Sequence, residues 1–501
     1  MSKYLLGIDN GSTAIKAGIY DLLGNEISVA GAKCEMVSPK PGYYERDMED
    51  IWRGNAEAVS KAIQNAGIDP KEIAAVSITG HGNGLYLVDA AGQPVQNAIA
   101  GMDGRGLPIV ERWTRDGTFE KIHPKAMQVL FSAHMACEIA WMQENRPELL
   151  EKTRWIFSVL DWIRYRLTGE AHAEMTTFSG GGVVNISECR YDRELLEYMG
   201  LNAAFDKLPP LAQSTDVCGK VSEEAARLTG LAAGTPVITG LYDIDSAGIA
   251  AGMVDETKWN VIVGTWCNNQ FIAKKPVVSK DFFSTTVYAK PGYWLMLEGS
   301  PTSASNLEWF VREFLQKEKE EAQQQGTSVY EVCNKAVENT QPEDTDIVFV
   351  PFLYGSNANP KAKGVFIGLE GWHQREHLIR AIYEGICFSH RYHIEKIEKL
   401  QDRPDAVRIA GGAARSRVWV QMFADVLNMP MEVTGASELG TLGAAMCAGV
   451  GIGLFPDFDI AVEHMVKLVR RVEPDASKTD LYTKKYLRYK KAIASLDGFW
   501  D

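Results

Sequence analysis

An apolar run, Leu5-Leu6-Gly7-Ile8, ends in Asp9. The small-residue turn Asn10-Gly11-Ser12-Thr13 follows, and alternating residues lead out through Ala17, Ile19 and Tyr20. Asn-Gly between two apolar runs predicts a hairpin, because both residues tolerate φ > 0. A tip of Gly, Ser and Thr offers backbone N–H groups and hydroxyls to a phosphate with no bulky side chain in the way. Asp9, at the strand end, is placed to hold a metal ion or its water near that phosphate, and equally to cap an ordinary turn. The theme returns in Trp259-Asn260-Val261-Ile262-Val263-Gly264-Thr265-Trp266-Cys267, again strand, small-residue turn, strand. We read this as an internal repeat, in which two half-molecules each present a phosphate-gripping hairpin to a shared cleft.

A second acid follows the strand Pro236-Val237-Ile238-Thr239. Gly240 ends that strand, Asp243 comes shortly after it, and the small residues from Ser246 to Gly252 start a closely packed helix. A carboxylate at a strand-to-helix turn can have its pKa tuned for proton transfer. Asp245 is its rival, and either acid could serve only as a helix cap. Glycine-rich Gly80-His81-Gly82-Asn83-Gly84 allows close approach of a ligand, or is a flexible turn. Asp103, in Gly101-Met102-Asp103-Gly104-Arg105, can bind sugar hydroxyls or pair with Arg105. Finally, Val407-Arg408-Ile409-Ala410-Gly411-Gly412 ends a strand in a double glycine that runs directly into a helix from Val418 to Leu427, whose N-terminus favours an adenosine or an anion.

The elements that must position these residues occur in the order β-β-β-α-β-β. Strands are predicted before and after the first turn and from Glu26 to Met36. Asp47 caps a helix from Met48 to Gln64, and a buried strand spans Ile73 to Thr79 before another from Leu85 to Val88. This is a mixed α/β order, not an alternating βαβ wind, and it is the order of the ribonuclease-H-like ATPase core shared by actin, chaperone ATPases and sugar kinases. Helices are also expected from Leu160 to Thr168, from Ala381 to Leu400 and from Glu438 to Gly451, the last rich in small residues and therefore tightly packed.

With 501 residues the chain is too long for one ordinary core, so two domains are expected, with a boundary near residues 247–258. A net charge of −13 without a long basic run argues against nucleic acid or a membrane surface as partner. The eight cysteines form no CxxC pair and read as reduced thiols of a cytoplasmic protein, and the N-terminus enters a strand without a signal peptide. There is no G-x-x-x-x-G-K-[ST], no G-x-G-x-x-G opening a helix after the first strand, and no G-x-S-x-G. His373 and His377 have zinc-helix spacing, but Gln374 stands where a metalloprotease needs Glu. His390 and His393 are read as having no cysteine or carboxylate set around them, and so as non-ligands.

These segments together resemble the FGGY carbohydrate kinases over almost the whole chain. The match is carried by Gly7-Ile8-Asp9-Asn10-Gly11-Ser12-Thr13, Gly240-Leu241-Tyr242-Asp243, Gly264-Thr265 and Gly411-Gly412-Ala413. Further matches are Arg166-Leu167-Thr168-Gly169, Glu384-Gly385-Ile386 and Leu442-Gly443-Ala444-Ala445. Phe352-Leu353-Tyr354-Gly355-Ser356-Asn357-Ala358 and Ser300-Pro301-Thr302-Ser303 look most like the L-xylulose kinase branch. Gly82-Asn83 departs from the Met-His of xylulose kinases and the Arg-Glu of glycerol kinases, and Asp245 is outside the common pattern.

The resemblance implies two ribonuclease-H-like (actin-like ATPase) domains with a cleft between them: residues 1–246 for sugar binding and the catalytic base, and residues 247–501 for the nucleotide. It makes Asp243 the base and a sugar and metal contact, and Asp9 a Mg²⁺ support through water. Nucleotide contacts are implied for Gly11, Ser12, Thr13, Lys16, Gly264, Thr265, Leu307, Gly411, Gly412, Ala413 and Ser416, and sugar contacts for Gly82, Asn83 and Asp103. The expected reaction is ATP- and Mg²⁺-dependent phosphorylation of a ketopentose hydroxyl (L-xylulose, xylulose or ribulose-like) by a cytoplasmic enzyme, with a homodimer as one candidate assembly. The alternatives are a glycerol or polyol kinase of the same family and an actin- or chaperone-like ATPase switch.

Overall fold

A computed structural model describes residues 3–12, 14–280, 282–356, 359 and 361–500. The first hairpin joins β1 (Tyr4–Asn10) to β2 (Ala14–Asp21), with Asn10 opposite Ile15, and β3 (Glu26–Lys33) adds the outer strand. Helix α1 (Met48–Ala66) starts where Asp47 accepts a hydrogen bond from the Asp50 N–H and stops at Gly67, which has φ 62°. Its buried stripe includes Ile51, Trp52, Val59 and Ile63, the 3.6-residue repeat seen in the sequence. Strand β4 (Ile73–Gly80) pairs parallel with β1, so that Asp9 stands opposite Thr79 and Asn10 opposite Gly80. Helix α2 (Val159–Thr168) is opened by a reciprocal Ser158–Asp161 capping box. Strands β5 (Pro236–Ile238) and β6 (Leu241–Tyr242) both lie parallel to β4, and β6 runs straight into α3 (Asp243–Ala250).

The second hairpin consists of β7 (Lys258–Val263) and β8 (Cys267–Ala273), with Val263 opposite Cys267. There follow β9 (Trp294–Ser300), α4 (Ser305–Phe314), α5 (Val329–Glu338), α6 (Arg375–Ile397), β10 (Ala406–Gly411), α7 (Arg417–Leu427) and α8 (Leu439–Gly451). Strand β10 pairs parallel with β7, placing Gly411 opposite Val263. This is the wiring of β4 on β1, so the repeat read from the two turns extends to the neighbouring parallel strand.

Two compact units result. The first takes residues 1–254, 272–296 and 436–467; the second takes 255–271, 297–435 and 468–501. The units are therefore interleaved along the chain, whereas the sequence-based division at 246/247 follows it continuously. In the first unit the sheet order runs from Val217–Lys220 through β5, β4, β1 and β2 to β3. Leu5, Leu6 and Ile8 are all buried, as expected of a strand covered on both faces. One face carries α1 and α2 with Ile51, Val59, Trp162 and Ile163; the other carries α8 with Leu442, Ala444, Ala445 and Ala448. Each large aliphatic side chain so buried contributes about 1.5–3 kcal/mol. Helix α8 joins this unit because its own glycines and Gly7 of β1 remove the barrier: a Cβ on Gly7 would stand 1.9 Å from the Thr441 carbonyl oxygen. The expected strand at Leu85 to Val88 exists as Tyr86–Asp89, but it pairs with Thr153–Phe157 outside the main sheet.

Candidate active site

Three parallel strand ends come level in the first unit. Leu241 and Tyr242 pair with Thr79 and Gly80, and those same two residues pair with Asp9 and Asn10. The turn into β6 is possible because Gly240 has φ 98° and lies against the Ile78 carbonyl, where a Cβ would be only 2.0 Å from the oxygen. Asp243 is thus delivered to the same sheet edge as Asp9. Loss of hydration pushes the Asp243 carboxyl up to about 8, with repulsion from Asp9 adding to it. Desolvation likewise raises Asp9 to about 6, opposed by the Lys16 charge beside it. Oδ1 of Asp9 has no hydrogen-bond partner among the described residues. Lys16 stands opposite Asp9 in the β1–β2 register and its Nζ lies 2.6 Å from Glu438 Oε2. Two neighbouring carboxyls with raised pKa values and an unsatisfied oxygen fit a divalent cation, held through water and substrate oxygens. Among the described residues no group of three or more His, Cys, Asp or Glu side chains could hold a metal by itself.

Asp245, the rival acid, is fully buried and turned elsewhere. Its Oδ1 accepts the Ala289 N–H at 2.8 Å, and burial holds its carboxyl far above the usual range. At two residues' separation on a helix, 243 and 245 point to nearly opposite sides. Neither acid is the cap of α3, since that position belongs to Tyr242.

The glycine-rich loop of residues 80–84 packs against Tyr242, the residue before Asp243. A Cβ on Gly82 would stand 2.1 Å from the Tyr242 hydroxyl, so only glycine lets that ring lie over the loop. Asn83 has φ 62°, and its Oδ1 is buried without a partner among the described residues. Next to it, His81 is held neutral, its pKa lowered to about 4 by burial and by the Arg46 charge. Asp103 is in a different state. Both its oxygens are engaged: Oδ1 accepts the Arg105 N–H and Nε–H, and Oδ2 accepts the Tyr44 N–H at 2.6 Å and Arg105 Nη2 at 3.0 Å. Asp103 does pair with Arg105, but the pair is buried and not the solvated one that is the alternative to a sugar contact.

The second unit contains a cavity of about 290 Å³ lined by Leu307, Gly412 and Ser416, and also by Ser328, Tyr330, Glu331, Asn334, Tyr383, Arg415 and Trp419. Its volume is that of a small-molecule pocket. Tyr383 and Trp419 stack with centroids 4.2 Å apart. Gly412 is open, with nothing within 4 Å of where a Cβ would be. Ser416 accepts the Trp419 N–H and donates to Asn334 Oδ1 at 2.7 Å, tying the start of α7 to α5. The double glycine does not run directly into the helix as expected: a 3₁₀ turn, Gly412–Arg415, intervenes, and Ser416 is the cap. Gly411, with φ 83°, ends β10 against the Val263 carbonyl, and Ala413 is buried behind the cavity wall. The Gly264 and Thr265 carbonyls accept N–H bonds from Ala304 and Ser303 at 2.8 and 3.0 Å, which joins the second turn to the segment leading into α4.

Of the first turn, Gly11 and Ser12 are described and Thr13 lies outside the described residues. Sequence reasoning missed Tyr330, Asn334, Tyr383 and Trp419. Their only signal was aromatic and polar residues at helical spacing, which is equally the signal of a core. It also read His393 as lacking a carboxylate, whereas Glu298 Oε1 lies 2.8 Å from its Nδ1, brought there from β9.

The fold with its doubled hairpin is that of two-domain sugar kinases with actin-like ATPase domains. A xylulose kinase from Rhodospirillum rubrum superposes with a TM-score of 0.90 over 99% of this chain and 100% of its own, at 24% identity. Residues 4–250 match the N-terminal domain and residues 259–452 the C-terminal domain of the FGGY family of carbohydrate kinases, and the chain belongs to that family. An L-xylulose/3-keto-L-gulonate kinase of Escherichia coli (strain K12) is 35% identical over 100% of this chain and 98% of its own. A probable L-xylulose kinase of Pasteurella multocida (strain Pm70) is 35% identical over 98% of this chain and 99% of its own. The protein is accordingly an ATP-dependent phosphotransferase acting on a sugar hydroxyl. Among the described residues no helix is long and apolar enough to cross a membrane.

Proposed function

We propose that this kinase phosphorylates a ketopentose or closely related keto sugar, with Asp243 as the base that accepts the proton of the attacking hydroxyl. The observation that carries the assignment is the carboxyl of Asp243, pushed up to about 8 at a strand end beside Asp9. A base must have a pKa near the working pH to take a proton and later release it. Full-length similarity to proteins named L-xylulose kinases supports the keto sugar. Gly82 and Asn83 hold the acceptor, Asn83 through its unpaired Oδ1. Asp103 contributes from behind, keeping Tyr44 and Arg105 in place.

Mg²⁺, when bound, neutralises charge on the phosphoryl oxygens. Asp9 and Asp243 are the residues of this chain that would hold it, Asp9 through water. Gly11 and Ser12 of the first turn, Lys16 of β2, and Gly264 and Thr265 of the second turn are the proposed phosphate contacts, together with Thr13, which lies outside the described residues. Leu307, Gly412 and Ser416 hold the nucleoside in the cavity, with Gly411 and Ala413 shaping its edge. The acceptor and the base thus belong to residues 1–246 and the nucleoside to residues 247–501. Most of the catalytic gain is positioning, up to about 7–11 kcal/mol in well-oriented systems.

The test is ADP release from MgATP with a panel of sugars: L-xylulose, D-xylulose, L- and D-ribulose, keto-aldonates and glycerol. Stimulation by a ketopentose or its acid analogue supports the assignment. Stimulation by glycerol alone reassigns the acceptor to a polyol, and a sugar-independent rate points to the ATPase switch.

A further inference from the structure

Helix α6 carries two histidines into the interior of the second unit, and neither has a place in the reaction described above. His390 is fully buried, and its two ring nitrogens contact Asn269 Oδ1 at 2.8 Å and Ser303 Oγ at 3.0 Å. The directions of these bonds follow from their partners. The Asn269 amide nitrogen donates to the Glu298 carbonyl at 3.1 Å, so its oxygen faces the histidine and can only accept. Nδ1 of His390 therefore carries the proton, and Nε2 accepts from the Ser303 hydroxyl. Burial lowers the His390 pKa to about 3, so the ring is neutral and this tautomer persists.

Ser303 is the residue whose N–H holds the Thr265 carbonyl. The next two residues continue the grip, with the Ala304 N–H on the Gly264 carbonyl at 2.8 Å and Ser305 Oγ on the Thr265 carbonyl at 3.1 Å. Asn269, on the far side of the ring, lies two residues beyond Cys267, where the hairpin closes. One imidazole thus joins the outgoing strand of the second hairpin to the segment that clamps its turn.

We propose that His390 is a positioning residue that sets the Gly264–Thr265 turn for the nucleotide's phosphates, acting through Ser303. The proposal rests on the reading that this turn faces the phosphates. Without the link, the clamp segment and the turn lose their common anchor, while the nucleoside cavity keeps its walls.

The experiment compares binding of MgATP and of adenosine to the full-length protein without sugar, by titration calorimetry. His390→Ala is expected to weaken MgATP about three- to tenfold, the effect of losing a hydrogen bond, and to leave adenosine within about twofold. His390→Gln, whose side-chain carbonyl can take the Ser303 proton, restores much of the affinity. His390→Asn, which reaches only Asn269, does not. Ser303→Ala, a small change that leaves the fold intact, reproduces the loss, and the double variant is no worse than either single one. Equal weakening of MgATP and adenosine, or full MgATP affinity in both His390→Ala and Ser303→Ala, overturns the proposal. Thr265→Ala separates the two readings. If it weakens MgATP and the His390 and Ser303 variants do not, the positioning role fails alone. If it too leaves MgATP unchanged, the phosphate reading of the turn fails with it.

Discussion

Gly440 packs directly on the carboxylate of Asp9: a Cβ at position 440 would stand 2.2 Å from Oδ2. The first turn of α8 and the end of β1 are thereby pressed together within one unit, and the orientation of Asp9 depends on a residue more than four hundred positions away. Gly440→Ala must push the carboxylate aside. The expected result is a fall in kcat of about tenfold or more, with a higher Mg²⁺ concentration needed for half-maximal rate. A Mg²⁺ titration of initial rates checks it; an unchanged Mg²⁺ requirement would separate Asp9 from the metal.

Asp243→Asn removes the base. Its kcat should fall by about 10²–10⁴-fold, the usual range for general-base catalysis, with the MgATP affinity close to that of the parent. In the parent without nucleotide or metal, Asp243 is pushed up to about 8, and a Mg²⁺ ion held beside it would favour the charged form and draw that value down. The base works deprotonated, so kcat/KM for the sugar at saturating MgATP should rise with pH and level off at or below about 8. Near-normal turnover of the variant would move the base role elsewhere.

The same raised pKa affects stability in a defined direction. An unfolded Asp titrates near 3.8, so between that pH and about 8 the folded chain holds a proton that the unfolded chain has lost. Stability in the absence of ligand therefore falls as pH rises through that window and is level beyond it. Asp243→Asn abolishes this contribution. The variant should melt higher than the parent at pH 8, and the difference should shrink toward pH 4, as thermal unfolding across that range would show.

Asn83 has φ 62°, so Asn83→Ala would strain the backbone as well as remove the amide. Asn83→Gly keeps the conformation and removes only the amide. It should raise KM for the sugar about tenfold, the effect of deleting one hydrogen bond to the acceptor in a buried site, and leave KM for ATP unchanged. Equal effects on both constants would take Asn83 out of the acceptor site.

Ser416→Ala removes the α7 cap and the bond to Asn334 together. The expected cost is about 1 kcal/mol of stability, read by denaturant unfolding, with a several-fold rise in KM for ATP and none for the sugar. Trp419→Phe keeps an aromatic face against Tyr383 and should be milder in both respects.

What the sequence determined by itself is whatever depends on neighbours along the chain. Asn10-Gly11 and Gly264-Thr265 mark the two hairpins as short polar breaks between apolar runs, although none of the four residues takes the positive φ that the Asn-Gly pair led one to expect. Asp47 and Ser416 cap helices by reaching a few residues ahead, and Gly240 lets Asp243 follow a strand end at once. The parallel neighbour of each hairpin, the placing of α8 with the first unit, the packing of Gly440 on Asp9 and the stack of Tyr383 on Trp419 were decided only by tertiary structure. Each depends on which surfaces meet after distant segments fold, and close packing at glycine is settled by shape where the surfaces touch, which no local pattern encodes. Orientation followed the same rule: burial raises the carboxyls of both Asp243 and Asp245, but the first feels the charge of Asp9 while the second accepts the Ala289 N–H.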